Sequence, residues 1–407
     1  MRVVHERCAA LDVHKKTVVV CFMGPKGRET TTFGTMTHDL VAMAEWLQER
    51  GARVVAMEST GVYWKPIFNI LETRDFELIV VNARHVKAVP GRKTDLKDAE
   101  WLADLLRHGL LRPSFIPDRW QRELRELVRY RKTLVEERSR LVTRVQKLLE
   151  GANIKLGDVA SDVMGQSARA MLKQLAAGKT DTKAMAGLAQ SNLRKKVPEL
   201  ELALSGSVGK HQRFMLDSLI RLIEELEDEI EGLNEEVEKR MRPFRAALEL
   251  LDEIPGIGPR TAEQVLAETG VDMSRFPSAA HFASWAKVCP GNKESGGKRQ
   301  YASTGAGNPY LRTALIEAAL GAVRAGRTQP NFFSARYRRL ASRRGPKRAA
   351  MAVAHSMLVA IYHMLRNGEH FEDLGPHFHD EQHRDRVVRR TVQRLEELGY
   401  RVTIEAA

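Results

Sequence analysis

Residues 9–13 read AALDV, an aspartate set inside an apolar run that would otherwise be an ordinary buried strand. Strand propensity and the cost of burying a charge both disfavour Asp12 there, so something has to offset its charge. Around it, residues 7–13, 17–23 and 28–35 read as three short strands, the last two joined by the turn signal GPKG. A helix over about 37–50, a strand at 53–59, a helix over about 62–74 and a strand at 76–82 follow. A meander followed by alternating helix and strand predicts an α/β region, a mixed sheet with helices on its faces.

Three further carboxylates stand in telling places. Glu58 closes the strand RVVAMES, at the carboxyl end where open α/β sheets place their ligands. Asp95 and Asp98 lie in GRKTDLKDAEWLADLLRHG, residues 91–109, at the start of a helix whose apolar stripe is Leu102, Leu105 and Leu106. Side chains three apart share a helix face, so the pair could serve one cation; it could equally cap the helix. Taken singly, each acid also reads as a cap or a solvated group. Gathered together they would repel one another without a metal, whereas two hard divalent ions held by carboxylates are what phosphodiester cleavage needs.

Past Trp120 the pattern becomes helical. Leu124, Leu127, Leu134, Leu141, Val145 and Leu148 hold a 3/4 spacing, and Leu219, Ile223, Leu226, Ile230, Leu233 and Val237 form a heptad seam. These predict long antiparallel helices or a coiled coil, with short helices over 151–210. A third, mainly helical region opens near Ala246. Its IPGIG turn, residues 254–258, fits a helix-hairpin-helix element in which Gly256 and Gly258 free backbone N–H groups for a phosphate; a packed Pro-Gly turn fits as well. In CPGNKESGGKRQ, Ser295 stands among Lys293, Lys298 and Arg299, as a nucleophile or as a turn residue or phosphate ligand, with Ser303 and Thr304 as competitors. Asn308 and Pro309 form an N-cap and first-turn pair for the next helix. Residues 324–350 then carry nine Lys and Arg and no acid, Arg343 and Arg344 among them, which predicts a phosphate-tracking surface. A neutral helix over about 348–366 and a solvated tail containing His377, His379 and His383 complete the reading.

Lys plus Arg exceeds Asp plus Glu by 65 to 52, a net charge of +13, which points to an anionic partner, nucleic acid first. Cys8, Cys21 and Cys289 are odd in number and far apart, which argues against a disulfide framework or a zinc knuckle. Without an apolar run near the roughly 20 residues that span a bilayer, or a signal-peptide core, the expectation is a cytoplasmic protein with no membrane partner.

The motifs LDVHKK, MESTGVYW, KTDLKDAEWLADLL, IPGIGPRTA, CPGNKESGGKR and GNPYLRTALIEAA, in this order, resemble the DEDD transposases of bacterial insertion sequences, relatives of the Piv-type DNA invertases and of bridge-RNA-guided recombinases. The resemblance covers about residues 5–112 and 248–375. It implies a ribonuclease-H-like, RuvC-type domain over 1–118, a helical or coiled-coil connector over 119–245, a serine-bearing transposase domain over 246–375 and an extension over 376–407. It implies that Asp12, Glu58, Asp95 and Asp98 bind magnesium (Mg2+, two ions) and that Ser295 becomes covalently joined to DNA. It also implies double-stranded DNA ends and targets as substrates, a structured noncoding RNA as guide, and a homo-oligomer. A RuvC-like, structure-selective nuclease that uses water in place of Ser295 is the alternative, and a non-catalytic DNA-binding protein the third reading.

Overall fold

The computed structural model describes residues 2–404 apart from 60, 83–94, 290–292, 296, 301–304 and 306; for 95–97, 293–295 and 298–300 it describes the backbone alone. The chain divides into two units, Met1–Arg119 and Trp120–Ala407.

In the first unit, strands β1 (Cys8–Val13), β2 (Thr17–Gly24), β3 (Gly27–Gly34), β4 (Val54–Glu58) and β5 (Glu77–Val81) form one sheet in the order β3-β2-β1-β4-β5. The first three run antiparallel; β4 lies parallel to both β1 and β5. This is the mixed sheet that the strand pattern predicts. Period-two alternation sends Ala9, Leu11, Val18, Val20 and Val55 toward helices α1 (Thr37–Glu49) and α2 (Trp64–Leu71). The opposite face, with Cys8, Ala10, Cys21, Val54 and Ala56, packs under α3 (Asp95–Arg107) through Ala99, Leu102, Ala103 and Leu106. Helices on both faces explain why β4 is a continuous apolar run. Burial pushes the Cys8 thiol up to about 11, so this cysteine acts as a packing residue.

The second unit opens with α4 (Arg119–Gly151), against which α5 (Lys210–Met241) runs antiparallel. The register is read from three contacts: Arg240 to Glu123 at 3.2 Å, Arg131 to Asn234 at 3.3 Å and Arg138 to Glu227 at 2.6 Å. The seam is apolar at its ends and mixed between them, where Leu134 and Leu233 are buried. Leu124 and Val128 with Val237 and Met241 join one core; Val145 and Leu149 with Leu216 and Ile220 join another, completed by short helices such as Gln166–Ala176 and Val197–Ala203. Beside Leu134 and Leu233, Arg131 and Arg138 reach the partner helix, and Leu226 and Ile230, expected in the seam, are only half-buried. Of the two expectations, long antiparallel helices or a coiled coil, the structure has the first, a pair of struts between two cores.

The larger core is built from α6 (Arg245–Asp252), α7 (Pro259–Thr269), α8 (Ala279–Ala286), α9 (Pro309–Ala325), α10 (Phe332–Arg344) and α11 (Pro346–Asn367). Buried alanines, Ala314, Ala318 and Ala322 on α9 and Ala350 and Ala354 on α11, let these helices approach closely. By length and composition α11 could cross a bilayer, which the sequence reading did not anticipate; half of it is buried in this core. A two-stranded hairpin, β6 (Lys293–Ser295) and β7 (Lys298–Gln300), precedes α9, and α12 (Arg384–Glu397) lies near the C-terminus. The tail is not wholly solvated: His379 packs on Phe332 at 5.2 Å between ring centres.

Candidate active site

Asp12 and Glu58 are brought together by sheet register. Leu11 pairs with Met57 across the parallel β1–β4 ladder, so Asp12 and Glu58 occupy the next step on neighbouring strands. Both follow the alternation of Cys8, Ala10 and of Val54, Ala56, and so belong to the face covered by α3. Helix α3 runs antiparallel to β1, because the N–H groups of Val4 and His5 both donate to the carbonyl of Arg107 at its C-terminal end. From Leu106 back to Asp98 the helix climbs about 12 Å, and the strand from Cys8 to Asp12 covers about 13 Å. Within this span Glu100 accepts from Thr30 Oγ1 at 3.5 Å, and Thr30 stands on β3 in the register row of Ala10. The start of α3, carrying Asp95 and Asp98, therefore lies at the sheet end that holds Asp12 and Glu58.

The Asp12 side chain is 16% exposed, and its Oδ2 lies 3.1 Å from Nε2 of His14. That histidine was not singled out in the sequence, although it stands two residues on in the same motif. Asp98 is half-buried; the Asp95 side chain lies outside the described residues. Among the described residues, no three acids, histidines or cysteines close into a ready metal cage. The expected donors, carboxylates alone, fit a hard divalent cation rather than zinc or copper. Just beyond Glu58, Val62 and Tyr63 stand exposed.

Ser295 is placed at the end of β6, paired with Lys298, with Gly297 at a φ of +72° in the turn that follows. The side chains of Ser295, Lys293, Lys298 and Arg299 lie outside the described residues, as do Ser303 and Thr304. The ends of this segment are pinned. Lys287 adopts a left-handed φ of +55°, and a side chain at Gly307 would meet Lys287 Cβ at 2.5 Å, so the chain returns to where it left. Asn308 then caps α9, its Oδ1 accepting from the N–H groups of Tyr310 and Leu311 at 3.1 and 3.2 Å. Its Nδ2 donates to Glu268 at 2.6 Å.

Glu268 is fully buried and also takes both prongs of the Arg129 guanidinium at 2.7 Å. Burial works against the Arg129 cation, but the bonds to Glu268 outweigh it and hold its pKa above the usual value. This polar cluster ties α4 and α7 to the residue that follows the serine segment. It had no sequence signal, since a lone Glu in an amphipathic helix reads as surface.

IPGIG joins α6 to α7. Gly256 has a φ of +92°, and a Cβ there would lie 2.2 Å from the Ala318 carbonyl of α9. Close packing therefore demands Gly256 whatever else it does. Gly258, the N-cap of α7, is open to space. In the basic run, Arg324, Arg327, Arg338, Arg339, Arg343, Arg344, Lys347 and Arg348 are exposed, whereas Arg336 is half-buried. Gly345, at a φ of +81°, turns the chain between α10 and α11 and sets Arg343 and Arg344 beside Lys347 and Arg348.

Comparison with known proteins gives the family. Residues 9–154 match a family model described as a transposase, of the DEDD type of IS110, and residues 248–338 match the transposase IS116/IS110/IS902 family. The insertion element IS110 43.6 kDa protein of Streptomyces coelicolor is 27% identical over 305 residues, 70% of this chain and 74% of its own length. The IS900 42 kDa protein of Mycobacterium paratuberculosis is 27% identical over 327 residues, 71% and 79% of the two chains. The transposase for insertion sequence element IS1111A of Coxiella burnetii is 26% identical over 296 residues, 71% of each. The chain belongs to the DEDD transposase family of bacterial insertion sequences. It is a DNA transposase, an enzyme that acts on DNA.

Proposed function

We propose that this transposase cuts and exchanges DNA strands at a RuvC-type site formed by Asp12, Glu58, Asp95 and Asp98, with Ser295 as the nucleophile. The observation that carries the reading is the register of β1 and β4, which sets Asp12 and Glu58 side by side under the start of α3. The four carboxylates would hold two magnesium ions, which when bound neutralise charge on the phosphodiester oxygens. The chain's own groups do the rest. Asp12, steadied by His14, and Glu58 set one wall, and exposed Val62 and Tyr63 face the strand being cut. Ser295 Oγ attacks phosphorus and the bond to the departing strand breaks. One phosphodiester is thus exchanged for another, and no ATP is required.

The acids and the serine belong to different domains under the division 1–118, 119–245, 246–375 and 376–407. The working site is therefore composite, assembled across subunits of a homo-oligomer that the helical connector holds. Gly256, Gly258, Lys293, Lys298 and Arg299 contact phosphates near the serine, and Arg343 and Arg344 track the backbone of DNA or of a structured guide RNA.

The test is nicking of element-end DNA in magnesium by Asp12→Asn and Glu58→Gln, with any required RNA present. Each variant loses cleavage by about a hundredfold or more, and the magnesium-induced rise in melting temperature disappears. The metal-free proteins melt no lower than wild type, since one repelling carboxylate is gone. Wild-type cleavage by either variant would remove the tetrad from the chemistry.

A further inference from the structure

Arg336 is the member of the basic run that the surface reading does not absorb. It projects from α10 into a cavity of about 430 Å³ between α10, α11 and the segment after α11. Among the described residues, its Nε is buried with no hydrogen-bond partner. One of its terminal nitrogens donates to His379 Nε2 at 3.3 Å. No carboxylate is among the groups that set its charge: burial first and then Arg339 hold its pKa below the usual value. The neighbouring histidines do not substitute for an acid. Burial, then Arg336, holds His355 below its ordinary value; the same two effects act on His379, with Arg339 and His383 adding to them and Asp380 opposing.

A half-buried cation with a buried, spare donor and, among the described residues, no carboxylate partner is destabilising as it stands, and is the state expected of an anion site before its ligand arrives. The walls narrow the chemistry. Phe332, Phe371, Val359 and Met364 make an apolar lining that a bare, hydrated phosphate would not seek, but on which a flat ring stacks. Glu369 and Glu372, exposed at the rim, disfavour a run of phosphates there. His355, Phe371 and most of the lining lie beyond residue 338, outside the matched family segment.

We infer that this cavity binds a single unstacked nucleotide, its base against the phenylalanines and its phosphate on Arg336. None of its lining residues is one of the four acids or Ser295. It gives the enzyme a place to hold one nucleotide out of a helix, from a DNA end or an RNA loop, or as a free mononucleotide.

The test uses the full-length protein and calorimetric titration with dAMP, deoxyadenosine and inorganic phosphate. Wild type takes one equivalent of dAMP saturably, and the two fragments bind at least about tenfold more weakly. Arg336→Met loses at least about tenfold in dAMP affinity, yet raises the melting temperature of the unliganded protein by about 2–4 °C, because an uncompensated cation has gone. Val359→Phe fills the wall, keeps Arg336 and also loses dAMP. Arg343→Ala/Arg344→Ala keeps dAMP affinity within about twofold while losing polynucleotide affinity, which separates this pocket from the basic surface. A single-stranded oligonucleotide that competes with dAMP for wild type but not for Arg336→Met assigns the nucleotide to nucleic acid; absence of competition assigns it to a free mononucleotide. The inference is overturned by absence of saturable dAMP binding, by full binding to Arg336→Met, by a lowered melting temperature for that variant, or by a carboxylate-ended peptide that binds tenfold tighter than dAMP.

Discussion

Gly256 and Gly258 stand two residues apart in one turn and are glycines for different reasons. Gly256 combines a positive φ with backbone contact to α9, so Gly256→Ala costs about 2–4 kcal/mol. Gly258 has a φ of −105° and open space, so Gly258→Ser, a better N-cap, leaves stability within about 0.5 kcal/mol of wild type or above it. Urea denaturation of the two variants measures the contrast; equal losses would refute it. At the same scale, His355 and His379 make stability depend on pH. Both are held below the ordinary value of 6.5 when folded, so the unfolded chain binds protons first as pH falls. Their contribution is fully present above about pH 6.5 and declines below it. Melting temperatures between pH 7.5 and 5 should drop less steeply in His355→Gln than in wild type. Asp12 was legible because an acid in AALDV breaks the local rule; Gly256 was not, because nothing in IPGIG reveals that α9 lies against it.

The struts α4 and α5 show what hydrophobic periodicity recovers and what it misses. Their antiparallel pairing follows from the leucine pattern, and the capping of α9 by Asn308 follows from the Asn-Pro pair. The mixed middle of the pair does not, because Arg131 and Arg138 read as surface while in fact they face buried Glu263 and half-buried Glu227. Glu268 is the extreme case, a fully buried acid that answers Arg129 and Asn308. Removing it leaves arginine charge uncompensated between α4 and α7. Glu268→Ala should therefore destabilise the protein by about 3–5 kcal/mol, read from the urea midpoint. A loss below about 1 kcal/mol would mean that solvent already screens the cluster. Because Asn308 follows the serine segment directly, the same variant should also slow strand transfer under conditions where it is folded.

Across the whole molecule, the expected metal-binding acids and the exposed cations belong to different units of the chain. The sheet end with Asp12 and Glu58 belongs to the first unit, while the exposed cations of α10 and α11 and the Ser295 hairpin belong to the second. Arg343→Ala/Arg344→Ala should weaken binding to all nucleic-acid sequences alike and flatten the log-log salt dependence by about one to two units. An unchanged slope would make that corner a solvated surface only. The order of motifs along the chain made the transposase family legible in sequence; the proposed chemistry turns on Ser295. The direct measurement is to incubate wild type and Ser295→Ala with end-labelled element DNA, magnesium and any required RNA, denature, and follow label that migrates with protein. A covalent adduct formed by wild type and absent from Ser295→Ala is the predicted result. An adduct on the alanine protein, or free nicked ends from wild type with no adduct at any time, would contradict the account and favour another hydroxyl or water as the nucleophile.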